Sequence, residues 1–269
     1  MSLNVNTNPS SNTAQRLLRL NAADLRARLE RLSSGLRVNR AADDAAALAV
    51  SEGLRAELAG AGAGVRNAEM AVNQLRSAEG SLNETSGMLI RMRELAHQAS
   101  NSTLSSSNRQ AIQSEFNQLS AEVDRQAASA ASAFPEGPVA TIQVGGGTTE
   151  ADRLEISVPE ASASSLGIEG TSVSSTADAG RALTSIDQAI SSVTAARGQL
   201  GAFENRLNSS IRSTENASEN LLASESALRD ADIAAESSAL ARAQTLTQAN
   251  LAALRQANRL PGQTLNLLG

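Results

Sequence analysis

The chain has 269 residues, of which 41% are hydrophobic and 19% charged, and its formal net charge is −5. It contains no Cys, Trp or Tyr, three Phe and a single His, His97. Disulfides, thiolate metal sites and a cysteine nucleophile are therefore excluded, and a histidine metal cluster or a Ser-His-Asp triad would have only His97 to use. We expect no catalytic site, no metal and no cofactor. The scarcity of aromatic residues argues against an ordinary globular core and favours long helices rich in Leu, Ala, Glu and Arg.

Positive charge is concentrated at the start of the chain. Residues 1–42 hold seven Arg and two acidic residues, which indicates a helix whose basic face meets solvent or a partner. A transit peptide or a phosphate-binding arm has a similar composition. The negative overall charge makes a nucleic-acid partner unexpected. No apolar run approaches the roughly 18 residues of a membrane span, so we expect no membrane insertion. The first 15 residues also lack the apolar region of a secretory signal peptide.

Four heptad-like runs predict long helices with apolar seams. The first run consists of Leu25, Leu29, Leu32 and Leu36. The second passes through Val72, Leu75, Leu82, Leu89, Met92 and Ala96, with Glu79 and Ser86 on the same stripe. The third consists of Ile112, Phe116, Leu119 and Val123. The fourth runs from Leu183 to Leu228 through Ile186, Ile190, Val193, Arg197, Leu200, Glu204, Leu207 and Ile211. As an α-helix this last run would be about 69 Å long, which is typical of rods, bundles and fibres.

The segments between these runs also predict local structure. Asp43 and Asp44 are placed to cap the start of a second helix, and Asp230 and Asp232 are interpreted as caps in the same way. The Ser/Thr/Asn-rich segment 100–108 predicts a loop between antiparallel helices. Residues 139–144 and 154–158 alternate around a Gly145-Gly146-Gly147 turn and predict a β-hairpin. The fold class is therefore mainly α: a long antiparallel helical bundle or coiled-coil rod with one small β-hairpin.

Several segments in a fixed order resemble bacterial flagellins. In the N-terminal half these segments are ERLSSGLRVN at 30–39 with ADDAA at 42–46, and RMRELA at 91–96 with QASN at 98–101. In the C-terminal half they are ARGQLGA at 196–202 with NRL at 205–207, and ESALRDADIA at 225–234. The last is QANRLP at 256–261, which is followed by Leu265, Leu267 and Leu268. Family members commonly carry large surface domains in mid-chain. Here only residues 134–176 separate the helical halves, so the chain resembles a short form without those domains, and a thin, smooth filament is expected.

The resemblance implies a division of the chain and a way of assembling. Residues 1–43 would form an N-terminal inner-core helix, 44–133 outer-core helices, 134–176 the hairpin region, 177–229 a long outer-core helix, and 230–269 a C-terminal inner-core helix. Subunits would pack through Leu25, Leu29, Leu32, Leu36, Leu82, Leu89, Phe116, Leu207, Ile211, Leu251 and Leu254. The protein would be secreted through the flagellar type III channel, with residues 1–12 carrying export information.

The resemblance also implies partners. The chain would assemble with itself into the bacterial flagellum filament and meet the flagellar export chaperone, cap and junction proteins. Arg91, Leu95 and Glu115 occupy positions where the family's motif contacts an animal Toll-like receptor, although the same residues could simply make subunit contacts. Two other readings stay open: a hook–filament junction protein with similar ends, and a cytoplasmic coiled-coil adaptor. A protease insert of the kind some flagellins carry would need a His-Glu-x-x-His motif, and this chain has one His.

Overall fold

The computed structural model describes residues 8–134, 137 and 139–266, and for residues 260–266 it describes the backbone alone. The elements in chain order are α1 (Pro9–Ser34), α2 (Ala45–Ala99), α3 (Ser106–Ser132), β1 (Val139–Gln143), β2 (Arg153–Ser157), α4 (Thr176–Arg229) and α5 (Ile233–Asn266). The predicted fold class, long helices with one small hairpin, is confirmed. The predicted tail leucines Leu260, Leu265, Leu267 and Leu268, and Pro135, Glu136 and Pro138 before the hairpin, lie outside the side chains described.

Each helix begins at a polar side chain that accepts a backbone N–H of the first turn. These side chains are Asn8 for α1, Asp44 for α2, Ser105 for α3, Ser175 for α4 and Asp232 for α5, with N···O distances of 3.1, 2.9, 3.2, 3.1 and 3.0 Å. Such caps satisfy N–H groups that have no partner within the helix. The capping roles predicted for Asp44 and Asp232 are confirmed.

The hairpin forms where the alternating pattern predicted it. β1 and β2 are antiparallel, with Val139 opposite Ser157 and Ile142 opposite Leu154. Along β2, Leu154 and Ile156 are buried while Arg153, Glu155 and Ser157 are exposed. This alternation is what a two-stranded sheet shows when one face packs on a helical core.

The chain divides into two compact units, residues 1–56 with 221–269 and residues 57–220. The second unit contains a continuous apolar core built from α2, α3, the hairpin, the segment 161–173 and α4. Its largest fully buried side chains include Phe116, Leu75, Leu82, Leu89 and Leu207. The first unit is held together mainly by α1 and α5. The domain boundaries predicted at 43/44 and 229/230 stay predictions.

The seam of α4 is built on smaller residues than the sequence pattern indicated. The residues fully or nearly fully buried are Ala179, Ala182, Ile186, Ala189, Val193, Ala196, Leu200 and Leu207. Leu183, Ile190, Arg197 and Glu204, which the heptad pattern placed on the seam, are only partly buried beside it. The alternation of three and four was right, but Ala fills positions where the pattern chose its larger or charged neighbour. Small side chains allow helices to approach closely.

The same correction holds on α2, and it explains the charged residues on the predicted stripes. Ala78 and Thr85 are buried, whereas Glu79 and Ser86 are half-buried. Glu79 pairs with Arg197 of α4, with Oε1 and Nη2 3.6 Å apart. Arg76 and Glu204 form a second pair between the same helices at 2.7 Å. The charged members of the predicted seams therefore flank the apolar contact and form ion pairs across it, Glu79 with Arg197 and Glu204 with Arg76.

Candidate assembly surface

The first unit is an antiparallel pair of helices from opposite ends of the chain. At one end of the pair, Asn8 Nδ2 donates to the carbonyl oxygen of Ala257 at 2.8 Å, and Ser11 Oγ lies 2.7 Å from Asn258 Oδ1. Further along, Arg28 Nη1 lies 3.5 Å from Glu236 Oε1. Since α1 residue numbers rise along the pair as α5 numbers fall, the two helices run in opposite directions.

The fully buried residues of the α1–α5 pair are small. Among its described side chains they are Ser11, Ala14, Ala243 and Ala257, each 4 to 9% exposed, while several leucines are half-buried. Small residues remove little apolar area from water, and that area sets the hydrophobic contribution to stability. These four side chains therefore contribute little hydrophobic stabilisation to the pair.

Most of the large apolar side chains of the pair remain in contact with solvent. Leu17, Leu20 and Leu29 on α1 are 44, 60 and 47% exposed. Ile233, Leu246 and Leu251 on α5 are 51, 54 and 39% exposed. Single exposed leucines are ordinary, but a group of them on one helix pair is typical of a surface that a partner covers. We call these six residues the terminal apolar surface.

Two short connections at the ends of the paired helices are tied together by backbone hydrogen bonds. The N–H of Arg37 donates to the carbonyl of Arg229 at 2.6 Å, and the N–H of Ala231 donates to that of Gly35 at 2.9 Å. Gly35 ends α1 with φ of 73°, a left-handed conformation that glycine adopts without a Cβ penalty. The side chain of Arg229 adds an ion pair to Glu52 at 3.1 Å. These bonds fix where the chain leaves α1 and enters α5.

A carboxylate also orders the connection between α1 and α2. Asp43 Oδ2 accepts the backbone N–H groups of Arg40 at 3.0 Å and Asn39 at 3.2 Å. These two hydrogen bonds stabilise the charged form, so the pKa of Asp43 lies below its ordinary value. Asp230 instead accepts the hydroxyl of Ser226, Oδ2 to Oγ 2.6 Å. The capping roles predicted for Asp43 and Asp230 are therefore wrong, because Asp43 bonds to backbone N–H groups that precede it and Asp230 bonds to the last turn of α4.

The residues predicted to pack between subunits fall into two groups. Leu82, Leu89, Phe116 and Leu207 are at most 1% exposed and belong to the core of the chain itself. Leu29 and Leu251 are exposed, and the remainder are half-buried, namely Leu25, Leu32, Leu36, Ile211 and Leu254. Subunit packing stays a prediction for this set. Its exposed members, Leu29 and Leu251, have the largest accessible area for contact with another copy.

The three residues connected with receptor contact lie close together on α2 and α3. Arg91 Nε and Nη2 donate to Glu115 Oε1 at 3.1 and 2.9 Å, and Nη1 donates to Glu94. Those hydrogen bonds, first the one to Glu115, raise the pKa of Arg91. Leu95 is 2% exposed and packs in the core. The accessible part of this group is therefore the Arg91–Glu115 ion pair.

Metal-ligating clusters and membrane-spanning helices are absent from the residues that the structure describes. Over residues 8–134, 137 and 139–266, no group of three or more His, Cys, Asp or Glu is arranged to hold a metal ion. None of the helices in that part of the chain has an apolar stretch that could cross a lipid bilayer. His97 is exposed near the end of α2, and its carbonyl accepts the hydroxyl of Ser100.

Sequence reasoning missed Leu17 and Leu20 as members of the terminal apolar surface. They precede the Leu25 run by intervals of three and five, which breaks the alternation of three and four used to find seams. What identifies them is that Ser11 and Ala14 are the buried residues of α1, so Leu17 and Leu20 lie outside the buried face of that helix. That face becomes recognisable only once the pairing of α1 with α5 is known.

Comparison with known proteins agrees with this architecture of paired terminal helices. The family model for the bacterial flagellin N-terminal helical region matches residues 5–132, and that for the C-terminal helical region matches residues 183–268. A flagellin of Halalkalibacterium halodurans is 37% identical over 269 residues, covering 98% of this chain and 99% of the relative. The flagellar filament 30.7 kDa core protein of Treponema maltophilum is 37% identical over 284 residues, with the same coverage of each chain.

A solved structure shows the same fold at greater distance. It is described as a flagellar hook-associated protein from Vibrio parahaemolyticus, with 16% identity, a TM-score of 0.52, and coverage of 69% of this chain and 99% of that chain. The chain belongs to the bacterial flagellin family, whose members are structural proteins.

Proposed function

We propose that this chain is the structural subunit of a bacterial flagellar filament and that it polymerises through its terminal helix pair. The observation that carries the proposal is the terminal apolar surface, six large side chains left 39 to 60% exposed on α1 and α5. Covering them with neighbouring copies would add apolar burial to that of the small, fully buried residues Ser11, Ala14, Ala243 and Ala257. That burial offsets the entropy lost when the ends of the chain become ordered.

The geometry of such assembly follows from symmetry. When one copy contacts a different surface on the next copy and the rotation does not close, the product is a helical filament. The relatives support this over the alternatives, since they are flagellins and a filament core protein that match along nearly the whole chain. The likeness to a hook-associated protein shows the fold alone. A cytoplasmic coiled-coil adaptor would leave the match at both ends of the chain unexplained.

The finer parts of the proposal come from the family. The protein would be secreted through the flagellar export channel, serve motility, and have no catalytic activity. Its partners would be other copies, an export chaperone, and the cap and junction proteins of the flagellum. Dissociated subunits would contact an animal Toll-like receptor through Arg91 and Glu115, whose ion pair a receptor would have to open or extend.

Leu20→Asn tests whether the terminal helix pair carries assembly. Leu20 is 60% exposed in the single chain, so the substitution should leave helicity and thermal stability almost unchanged. It removes apolar area from the proposed contact without adding charge, and should raise the critical concentration for polymerisation about five- to tenfold. Sedimentation of polymer as a function of protein concentration measures this.

The matched control is Met70→Asn. Met70 is 61% exposed and also lies on a helix, but in the second unit. We expect a much smaller change than for Leu20→Asn. If both variants raised the critical concentration equally, the terminal helix pair would have no special part in assembly.

A further inference from the structure

Sulfur chemistry in this chain is confined to methionine, because the sequence has four Met and no Cys. Oxidation of a methionine thioether gives the sulfoxide, which turns a flexible apolar side chain into a polar one. In an apolar core that change disrupts packing, whereas on a surface the added polarity meets water. Which methionine reacts first therefore decides what oxidation does to the protein.

The three methionines whose side chains the structure describes all lie on α2 and differ widely in exposure. Met70 is 61% exposed, Met88 is half-buried against the apolar core of the second unit, and Met92 is fully buried within that core. An oxidant in solution reaches the sulfur of Met70 directly. It reaches the sulfur of Met92 only when the helix opens locally, and such open states are rare in a well-packed core.

The surroundings of Met70 keep its side chain open to solvent. Met70 lies in a depression of about 640 Å³ between α2 and β1, which is lined also by Asn67, Gln74 and Val139. Val139, the first residue of β1, is itself 48% exposed. A small oxidant can therefore enter the depression without any rearrangement of the fold.

The same depression contains polar groups that suit a sulfoxide. Asn67 and Gln74 lie three positions before and four positions after Met70, so they share its face of the helix. Asn67 Nδ2 donates to the carbonyl oxygen of Gln143 at 3.3 Å, and an amide nitrogen has a second N–H to donate. The oxygen of a sulfoxide at Met70 would thus have amide donors beside it as well as water.

We propose that Met70 is a modification site, which hydrogen peroxide converts to the sulfoxide before Met88 and Met92 and without unfolding the chain. The sulfur lone pair attacks one peroxide oxygen, so that an S–O bond forms as the O–O bond breaks. The sulfur loses two electrons, the peroxide is reduced, and its second oxygen leaves as water with both hydrogens. Met70 consumes one peroxide in this way while Met92 keeps its thioether in the core.

The test treats the full chain with hydrogen peroxide at a protein concentration too low for polymer. After quenching, cleavage after glutamate places Met70 in peptide 70–79 and the other two methionines in peptide 85–94, where fragment masses distinguish them. We expect Met70 to be oxidised at least about tenfold faster than Met92, with Met88 between them. Helicity by circular dichroism should be unchanged once Met70 has reacted. Met1 lies outside the described residues and does not enter the comparison.

Two controls separate exposure from intrinsic reactivity. In the chain unfolded by guanidinium the three oxidation rates should agree within about twofold, because all three thioethers then meet solvent. Met70→Leu, which nearly conserves side-chain volume, should abolish the fast reaction and leave the rate at Met92 unchanged. Met88→Leu is the matched variant on the same helix and should keep the fast reaction.

Two results would overturn the inference. One is equal oxidation rates at Met70 and Met92 in the folded chain. The other is loss of helicity in a chain that is oxidised at Met70 alone. Either result would leave the proposed filament function standing, since neither measurement involves polymer.

Discussion

Single carboxylates decide where several elements of this chain begin. Asp44 and Asp232 accept backbone N–H groups at the first turns of α2 and α5. Asp43 accepts two more in the connection before α2. The sequence suffices to predict such roles, because capping depends on residues three or four positions apart. The hydrogen bond between Arg37 and Arg229 joins residues about 190 positions apart, so it could not be predicted without knowing that α1 pairs with α5.

Asp43 gives a pH-dependent prediction. Its folded-state pKa is depressed by the N–H groups of Arg40 and Asn39, below the ordinary value of 3.8. The stabilisation is therefore present at pH values above 3.8 and is lost as pH falls through the folded-state pKa. Asp43→Ala should lower the melting temperature at neutral pH and have little effect once the wild-type carboxyl is protonated. Circular dichroism melts at both pH values measure the difference.

Glu69→Ala serves as the control for Asp43→Ala, since Glu69 is an exposed acidic residue on α2. Its substitution should change the melting temperature little at either pH. If Asp43→Ala lowered the melting temperature equally at neutral pH and at a pH where the wild-type carboxyl is protonated, the charge of the carboxylate would not stabilise the connection.

At the scale of elements, the hairpin turn is fitted against the backbone of α2. A Cβ on Gly64 would lie 2.6 Å from the carbonyl oxygen of Val144, and a Cβ on Gly60 would lie 2.8 Å from that of Gly146. Thr214 of α4 donates its hydroxyl to the carbonyl of Val144 at 3.2 Å. Only glycine permits backbones to approach so closely. The turn is therefore held between two long helices by positions that cannot carry side chains.

Gly64→Ala tests this fit. Alanine at an unconstrained helix position is favoured over glycine by about 0.5–1 kcal/mol. At Gly64 the methyl group would instead collide with the turn, so we expect destabilisation of about 1–3 kcal/mol, by analogy with overpacked cores. Denaturant unfolding followed by circular dichroism measures the change.

Gly80→Ala is the control on the same helix. A Cβ on Gly80 has nothing within 4 Å, so this substitution should stabilise the chain slightly. Stabilisation by both substitutions would mean that the turn does not rest on α2 at Gly64.

The helices and hairpin were predictable in type because their patterns are long and regular. The details of the seams were not. A heptad pattern is read from large side chains, whereas Ala182, Ala189 and Ala196 are among the most buried residues of α4. Whether an alanine faces a partner helix depends on how closely the helices approach, which a single sequence does not state. The same limit concealed Leu17 and Leu20, whose exposure depends on what α5 covers.

At the scale of the whole molecule, the two units differ in which side chains they bury. Residues 57–220 enclose an apolar core with Phe116, Leu89 and Leu207 fully buried. The helix pair of the first unit fully buries only small residues among its described side chains and leaves the six residues of the terminal apolar surface exposed. From this contrast we expect the second unit to be stable in the free chain, whereas the helix pair gains stability from neighbouring copies.

Electron microscopy of the purified full chain, at protein concentrations on both sides of the assembly threshold, tests this account most directly. Above the threshold it predicts long filaments of uniform diameter, and below it helical monomers by circular dichroism. Monomers or small closed oligomers at every concentration, with helicity intact, would contradict polymerisation through the terminal helices and favour a junction protein or an adaptor.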